Sequence, residues 1–251
     1  IQTLKYKYTE KFLEEITSKI ILDEKRLKLA SDHVDRVLTG IVISVGFPED
    51  ISKATSSHLV DANLVGVESH GIMRVLEYAD EVKSGVLNPS SRPELIKQEK
   101  NFLEINASGG IGIPALNLAY DECCKDAEDK GLSIMAVKDV GHTGRLGAYA
   151  EVAGERGFLT ICLGGGNRQY WRQVAPPGGA KAMLPTNPWC IGIPAGKTGP
   201  VVLDFATSKI AGGWIYAAKS AGALLPDNSV KDANGNVTRN PDDYFSGGAL
   251  M

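Results

Sequence analysis

Six residues, Asn88-Pro89-Ser90-Ser91-Arg92-Pro93, split the chain into two sequence textures. Their prolines and serines interrupt any helix or central strand, so the stretch reads as a linker. Before it, apolar residues recur three and four apart. Glu10–Ile20 and Glu24–Val45 (with Leu27, Ala30, Val34, Val37, Leu38 and Ile41) are expected to be amphipathic helices. Phe47-Pro48-Glu49-Asp50 breaks the chain, and Ile51–Leu64 restarts it as a third helix ended by Gly66 as a left-handed cap. After Pro93, short apolar runs alternate with helical patterns. Expected strands are Glu94–Lys100, Phe102–Asn106, Leu132–Val137 (of buried type), Phe158–Leu163, Trp189–Ile193 and Val201–Phe205. Helices are expected over Pro114–Lys130, Gly144–Arg156 and Thr207–Ala221, with Thr207 or Ser208 as the cap of the last. Pro226–Met251 reads as a polar, loop-like tail with a turn at Asp232-Ala233-Asn234-Gly235-Asn236. The expectation is an α/β protein: a helical domain over residues 1–92 and a layered α/β domain over 93–251.

Composition removes several classes of function. A net charge of -3 gives no electrostatic case for nucleic acid or an anionic membrane. No apolar run reaches membrane-spanning length, and the N-terminus lacks the apolar core of a secretory signal. Cys123, Cys124, Cys162 and Cys190 show no metal-ligand spacing, and reduced thiols in a cytoplasmic protein are the default. With only His33, His58, His70 and His142 to draw on, no metal site is expected. His33 is read as solvated and His58 as structural.

The chemistry concentrates in Ser69-His70-Gly71-Ile72-Met73-Arg74. If a helix starts at Ser69, its hydroxyl caps the first turn and His70 and Arg74 stand side by side at i and i+4. An arginine can grip a carboxylate bidentately while a histidine moves a proton at the neighbouring carbon. That pattern suits a small 2-hydroxy or 2-oxo acid. The alternative is a capped helix whose His and Arg face water.

Two glycine-rich loops compete as cofactor sites. Gly110-x-Gly112-x-x-Ala115 opens a helix, as a dinucleotide fingerprint would. Its preceding strand reads as one arm of a hairpin, however, and no acidic residue closes a second strand about twenty residues on. Gly141-His142-Thr143-Gly144-Arg145-Leu146-Gly147 lies between a strand and a helix, where free amides could receive a phosphate or carboxylate. The alternative there is a glycine-rich turn with a solvated histidine. In Leu184-Pro185-Thr186-Asn187-Pro188 the prolines hold the residues before them extended, so Thr186 and Asn187 could present polar tips rigidly. Asp204, at the end of an apolar strand, could take ribose hydroxyls.

Four blocks in order, VGVESHGIMRVLEYADEVKSGVLNP, VKDVGHTGRLGAYA, LPTNPWCIGIPA and VVLDFATSKIAGG, resemble the malate/L-lactate dehydrogenase family of the second type. That family includes ureidoglycolate, sulfolactate and 2,3-diketogulonate oxidoreductases and cyclic-imine (piperideine-2-carboxylate) reductases. The resemblance implies a non-Rossmann, mixed-sheet α/β fold that binds NAD or NADP, and pairing as a homodimer. It implies that His142, Thr143 and Gly144 contact the cofactor, with His142 at the catalytic centre. It places Asp204, Phe205 and Ala206 along the nucleotide, Thr186 against the substrate, and Gly212 and Gly213 close to it. Ser69 and His70 correspond to catalytic positions and Arg74 to a carboxylate holder.

Two departures stand out. Where the imine reductases carry an aspartate that completes a Ser-His-Asp relay, this chain has Trp214. Family members also continue well past Met251, so the chain is expected to be either a fragment or a shortened protein. The reading is an NAD(P)-dependent oxidoreductase interconverting a small 2-hydroxy acid and its 2-oxo acid. The alternatives are a catalytically silent truncated paralogue and a cyclic-imine carboxylate reductase.

Overall fold

The structure, a computed structural model, describes residues 28–166 and 172–251. The helix expected over Glu10–Ile20 and the start of the one expected from Glu24 lie outside the described residues. The elements, in order, are α1 (Ser31–Val45), α2 (Glu49–Leu64), a 3-10 turn (Glu68–His70), α3 (Arg74–Lys83), β1 (Glu94–Glu99) and β2 (Phe102–Asn106). Then come α4 (Gly112–Lys130), β3 (Ile134–Lys138), α5 (Leu146–Glu155), β4 (Thr160–Leu163), β5 (Trp189–Ile193) and β6 (Val201–Phe205). The chain closes with α6 (Gly212–Ser220), β7 (Val230–Lys231), β8 (Val237–Thr238), α7 (Pro241–Phe245) and β9 (Ala249–Leu250).

The described residues group into two compact units. One comprises residues 28–164 and Pro188–Phe205; the other comprises the described part of Gly165–Asn187 together with Ala206–Met251. In the first unit the helices and the first sheet share a core. Leu38 and Val42 of α1, Ile51, Leu59 and Val60 of α2, and Val75 and Tyr78 of α3 pack with Leu87, Ile111 and Ile113. Each fully buried aliphatic side chain there stabilises the fold by about 1.5–3 kcal/mol. The first sheet has the order β1-β2-β3. The β1–β2 hairpin turns at Lys100 (φ 47°) and is antiparallel, whereas β2 pairs with β3 in parallel. The second sheet, β4-β5-β6, is antiparallel throughout. Cys190 and Val202 on one face pack on Leu146, Tyr149 and Ala150 of α5, while Ile161, Leu163, Trp189, Ile193, Val201 and Leu203 stay exposed. One parallel pair is all these two sheets contain, so the fold is mixed α/β and not doubly wound.

Four local expectations are corrected. The strand after α4 is not of buried type: β3 is an edge, and Ile134 is 55% exposed. No helix starts at Ser69. A 3-10 turn ends at His70, Gly71 is extended, and α3 begins at Arg74 with Met73 as its unaided N-cap. Asn63 explains the interruption, because its Oδ1 accepts the Ile72 amide at 2.7 Å. The helix expected from Thr207 begins instead at Gly212 with Ala211 as N-cap. Thr207 is engaged elsewhere, its amide and hydroxyl both donating to Asn187 Oδ1. Finally, the polar tail is structured. In the second unit β7 lies between β8 and β9, and Val230 and Leu250 are buried with Ile210, Ile215, Ala218 and Leu225. The polar residues that suggested a loop make the turn joining β7 to β8, where Asp232 Oδ1 accepts the Asn234 and Asn236 amides.

Candidate active site

The first unit brings Ser69, His70, Arg74 and His142 together. The imidazoles of His70 and His142 stack with centroids 5.4 Å apart and planes 25° from parallel. Ser69 is buried, and its Oγ lies 3.0 Å from His70 Nδ1. Arg74, also buried, donates through Nε to the Ser69 carbonyl at 2.7 Å and through Nη1 to Glu77. The guanidinium therefore clamps the turn that carries His70. Burial and then the Arg74 charge depress both histidines: His70 falls from 6.5 to about 3, and His142 falls well below 6.5. Two neutral imidazoles beside a buried cation can attract a small anion and exchange a proton with it.

Three residues that the sequence reading gave no place in the site complete the cluster. Tyr78, 1% exposed on the inner side of α3, places its hydroxyl 2.7 Å from His142 Nδ1. The signal was its position at i+4 from Arg74, since a tyrosine on a buried helix face needs a polar partner. His58 accepts the Arg145 amide at Nε2 (2.9 Å) and stacks on Tyr149 at 5.1 Å. Burial, followed by the Arg145 charge, lowers it to about 4. It acts structurally, bracing the loop that carries His142. Arg145 is itself buried, forming a bidentate pair with Glu151 (2.8 and 2.7 Å) and a bond to Asp61 (2.9 Å).

The loop of His142 is held by backbone at close quarters. The Gly112 amide donates to the His142 carbonyl at 2.9 Å, and the Gly141 amide donates to the Gly110 carbonyl at 2.8 Å. A Cβ on Gly112 would lie 2.7 Å from the Gly141 carbonyl oxygen and 2.8 Å from that of His142. The glycines of Gly110-x-Gly112-x-x-Ala115 thus serve loop packing. Gly144 adopts φ 70°, and a Cβ there would strike His58 Nε2 at 2.2 Å.

The nicotinamide dinucleotide implied by the resemblance meets two different surfaces in this unit. The free amides expected at the start of α5 are engaged: Arg145 donates to His58, and Gly147 donates to Asp204 Oδ2 at 2.7 Å. A carboxylate already sits where a phosphate was expected, so the Arg145 and Gly147 amides are closed to a diphosphate. The hydroxyl-bearing part does fit, because Asp204 is exposed and carries a second carboxylate oxygen that can accept from a ribose, with the Phe205 ring exposed beside it in the chain. Thr143 turns its carbonyl inward to accept from Tyr149 Oη at 2.7 Å.

Thr186, Asn187, Ala206, Gly212 and Gly213 belong to the second unit. There Asn187 ties down Thr207, and Thr186 is half-buried. Gly212 and Gly213 open α6, where a Cβ on Gly212 would lie 2.6 Å from Gln173 Oε1. Trp214 packs against the apolar core of that unit. Among the described residues no group of His, Cys, Asp and Glu could hold a metal ion, and no helix is long and apolar enough to cross a membrane.

Comparison with known proteins gives this geometry its context. Residues 29–251 match the family model described as malate/L-lactate dehydrogenase. A malate dehydrogenase of Pyrococcus abyssi is 30% identical over 92% of this chain and 62% of its own length. A Delta(1)-pyrroline-2-carboxylate reductase of Agrobacterium fabrum is 33% identical over 73% of this chain and 52% of its own. Among solved structures, the malate dehydrogenase of Pyrococcus horikoshii superposes with a TM-score of 0.76 at 29% identity, covering 93% of this chain and 62% of that one. The chain thus spans less than two thirds of the length of these relatives. The chain belongs to the malate/L-lactate dehydrogenase family.

Proposed function

We propose that this chain binds NAD or NADP and interconverts a small 2-hydroxy acid of the malate or lactate type with its 2-oxo acid. The stacked pair of His70 and His142, both under the Arg74 charge, is the observation that carries the reading. When bound, the cofactor supplies or accepts the hydride at its nicotinamide ring. The chain's own residues do the rest. Arg74 attracts the carboxylate, and the approach of that anion offsets the Arg74 charge, which adds to burial in keeping the imidazoles neutral, so their basicity rises as substrate arrives. His70 exchanges the proton of the C2 oxygen and Ser69 orients its ring, while His142 faces it across the stack. Asp204 and Phe205 receive the cofactor's ribose, and the backbone at Thr143 and Gly144 sets the height of His142.

We place the protein in the cytoplasm as a homodimer. Support for pairing is modest and local: Val37 and Ile41 are exposed at i and i+4 on α1, beside the buried Leu38 and Val42. The helical segment 1–92 is the proposed contact. A second reading, reduction of a cyclic-imine carboxylate, is favoured by the reductases among the relatives and opposed by Trp214 at the place of the relay acid.

The test is a panel of 2-oxo acids and cyclic-imine carboxylates offered with NADH and with NADPH, followed at the nicotinamide absorbance. Consumption of reduced cofactor with a 2-oxo acid is expected. Consumption with imines alone would transfer the assignment to the second reading, and none with any pair would remove both.

A further inference from the structure

We propose that Tyr78 is a positioning residue that locks His142 in its Nε2–H tautomer, making His142 a hydrogen-bond donor to the substrate oxygen and leaving proton exchange to His70. The division of labour rests on the function proposed above; the tautomer does not.

A neutral imidazole has one lone pair and one N–H. At His142 two groups converge on the same nitrogen, Nδ1: the Tyr78 hydroxyl at 2.7 Å and the Gly144 amide at 3.3 Å. A backbone amide can only donate, so Nδ1 must be the nitrogen bearing the lone pair. The phenol then donates as well, and burial, which pushes its ionisation far above the ordinary range, keeps that proton on it. A hydrogen on Nδ1 would face the Gly144 N–H and force Tyr78 to reverse its hydroxyl. The ring hydrogen therefore resides on Nε2. A general base must present a lone pair to the substrate hydroxyl, and the lone pair of His142 is already consumed. A neutral N–H donor can still polarise a carbonyl at the C2 oxygen. His70 has the freedom His142 lacks, because its Nδ1 partner, the Ser69 hydroxyl, can donate or accept.

The experiment is nitrogen-15 NMR of the chain labelled at histidine, without substrate or cofactor. The chain has four histidines, and loss of one signal set in His142→Gln identifies the one of interest. At neutral pH the expected pattern is an unprotonated Nδ1 and a protonated Nε2. Tyr78→Phe, which keeps the ring and removes the donor, is expected to shift the tautomer ratio toward Nδ1–H by roughly tenfold, the worth of one hydrogen bond. A wild-type spectrum with hydrogen on Nδ1 would overturn the proposal even if the variant cannot be folded. An unchanged ratio in Tyr78→Phe would assign the lock to the Gly144 amide and overturn the role of Tyr78. Because nothing is turned over in this measurement, its outcome is separate from whether the chain reduces any 2-oxo acid.

Discussion

Arg74 is a buried cation that serves two ends at once: it ties the Ser69 carbonyl to α3 through its Nε, and its charge adds to burial in keeping the neighbouring imidazoles neutral. Neutralising it while sparing the fold requires treating its partner as well, so the informative variant is Arg74→Leu with Glu77→Gln. Its KM for the 2-oxo acid is expected to rise about 10- to 100-fold, the loss of one charged hydrogen bond, and the His70 titration is expected to move up from about 3 while burial still holds it below 6.5. Unchanged Michaelis constants would remove the carboxylate role. The histidines also set a pH dependence of stability. Their folded values lie below 6.5, with His58 at about 4 and His70 at about 3. Between those values and 6.5 the unfolded chain binds protons that the folded chain refuses. Stability is therefore full above pH 6.5 and falls as pH drops toward 3–4. His58→Gln keeps an acceptor for the Arg145 amide while removing one titrating ring. Its denaturation midpoint is expected to change less between pH 7 and pH 4.5 than that of the parent protein. At this scale residue type and spacing pointed to Ser69, His70 and Arg74, and the family resemblance pointed to His142; the structure brings the four together. The sequence could not place Tyr78 or give His58 its partner, because His142 and Arg145 stand 64 and 87 residues away.

Among elements, α3 and α5 show where local rules gave way to tertiary ones. A serine before an apolar periodic run is an N-cap signal, yet Asn63 draws the Ile72 amide away and α3 starts five residues after Ser69. The start of α5 looks like an anion cradle in sequence, but His58 and Asp204 come from other elements to occupy its amides. Asp204 thus caps α5 from β6. Asp204→Ala is expected to cost about 0.5–2 kcal/mol of stability and Asp204→Asn less, as read by chemical denaturation. Gly112→Ala is a sharper case, since the intruding methyl meets two carbonyl oxygens that cannot rotate away. A loss of about 1–3 kcal/mol, together with a disturbed His142 signal, is the expected outcome. Full stability in that variant would contradict the packing role given to this glycine.

For the whole molecule, the strand and helix alternation after Pro93 was legible because periodicity reports which face is buried. How the elements group was not. Strands β5 and β6 return to the unit of residues 28–164, and the polar residues after Pro226 close a small sheet around Val230 and Leu250. Such pairings join residues far apart or in runs too short for periodicity to register. Pairing of two copies through α1 predicts a dimer by sedimentation, shifted toward monomer in Ile41→Lys with its fold intact. The measurement that bears on the whole account is the pH–rate profile of 2-oxo acid reduction for the parent chain and His70→Gln. The account predicts turnover in the parent, with the limb that reports imidazole protonation lost in the variant while the acid still binds. A His70→Gln protein that keeps that limb would hand the proton to His142 and contradict the assignment.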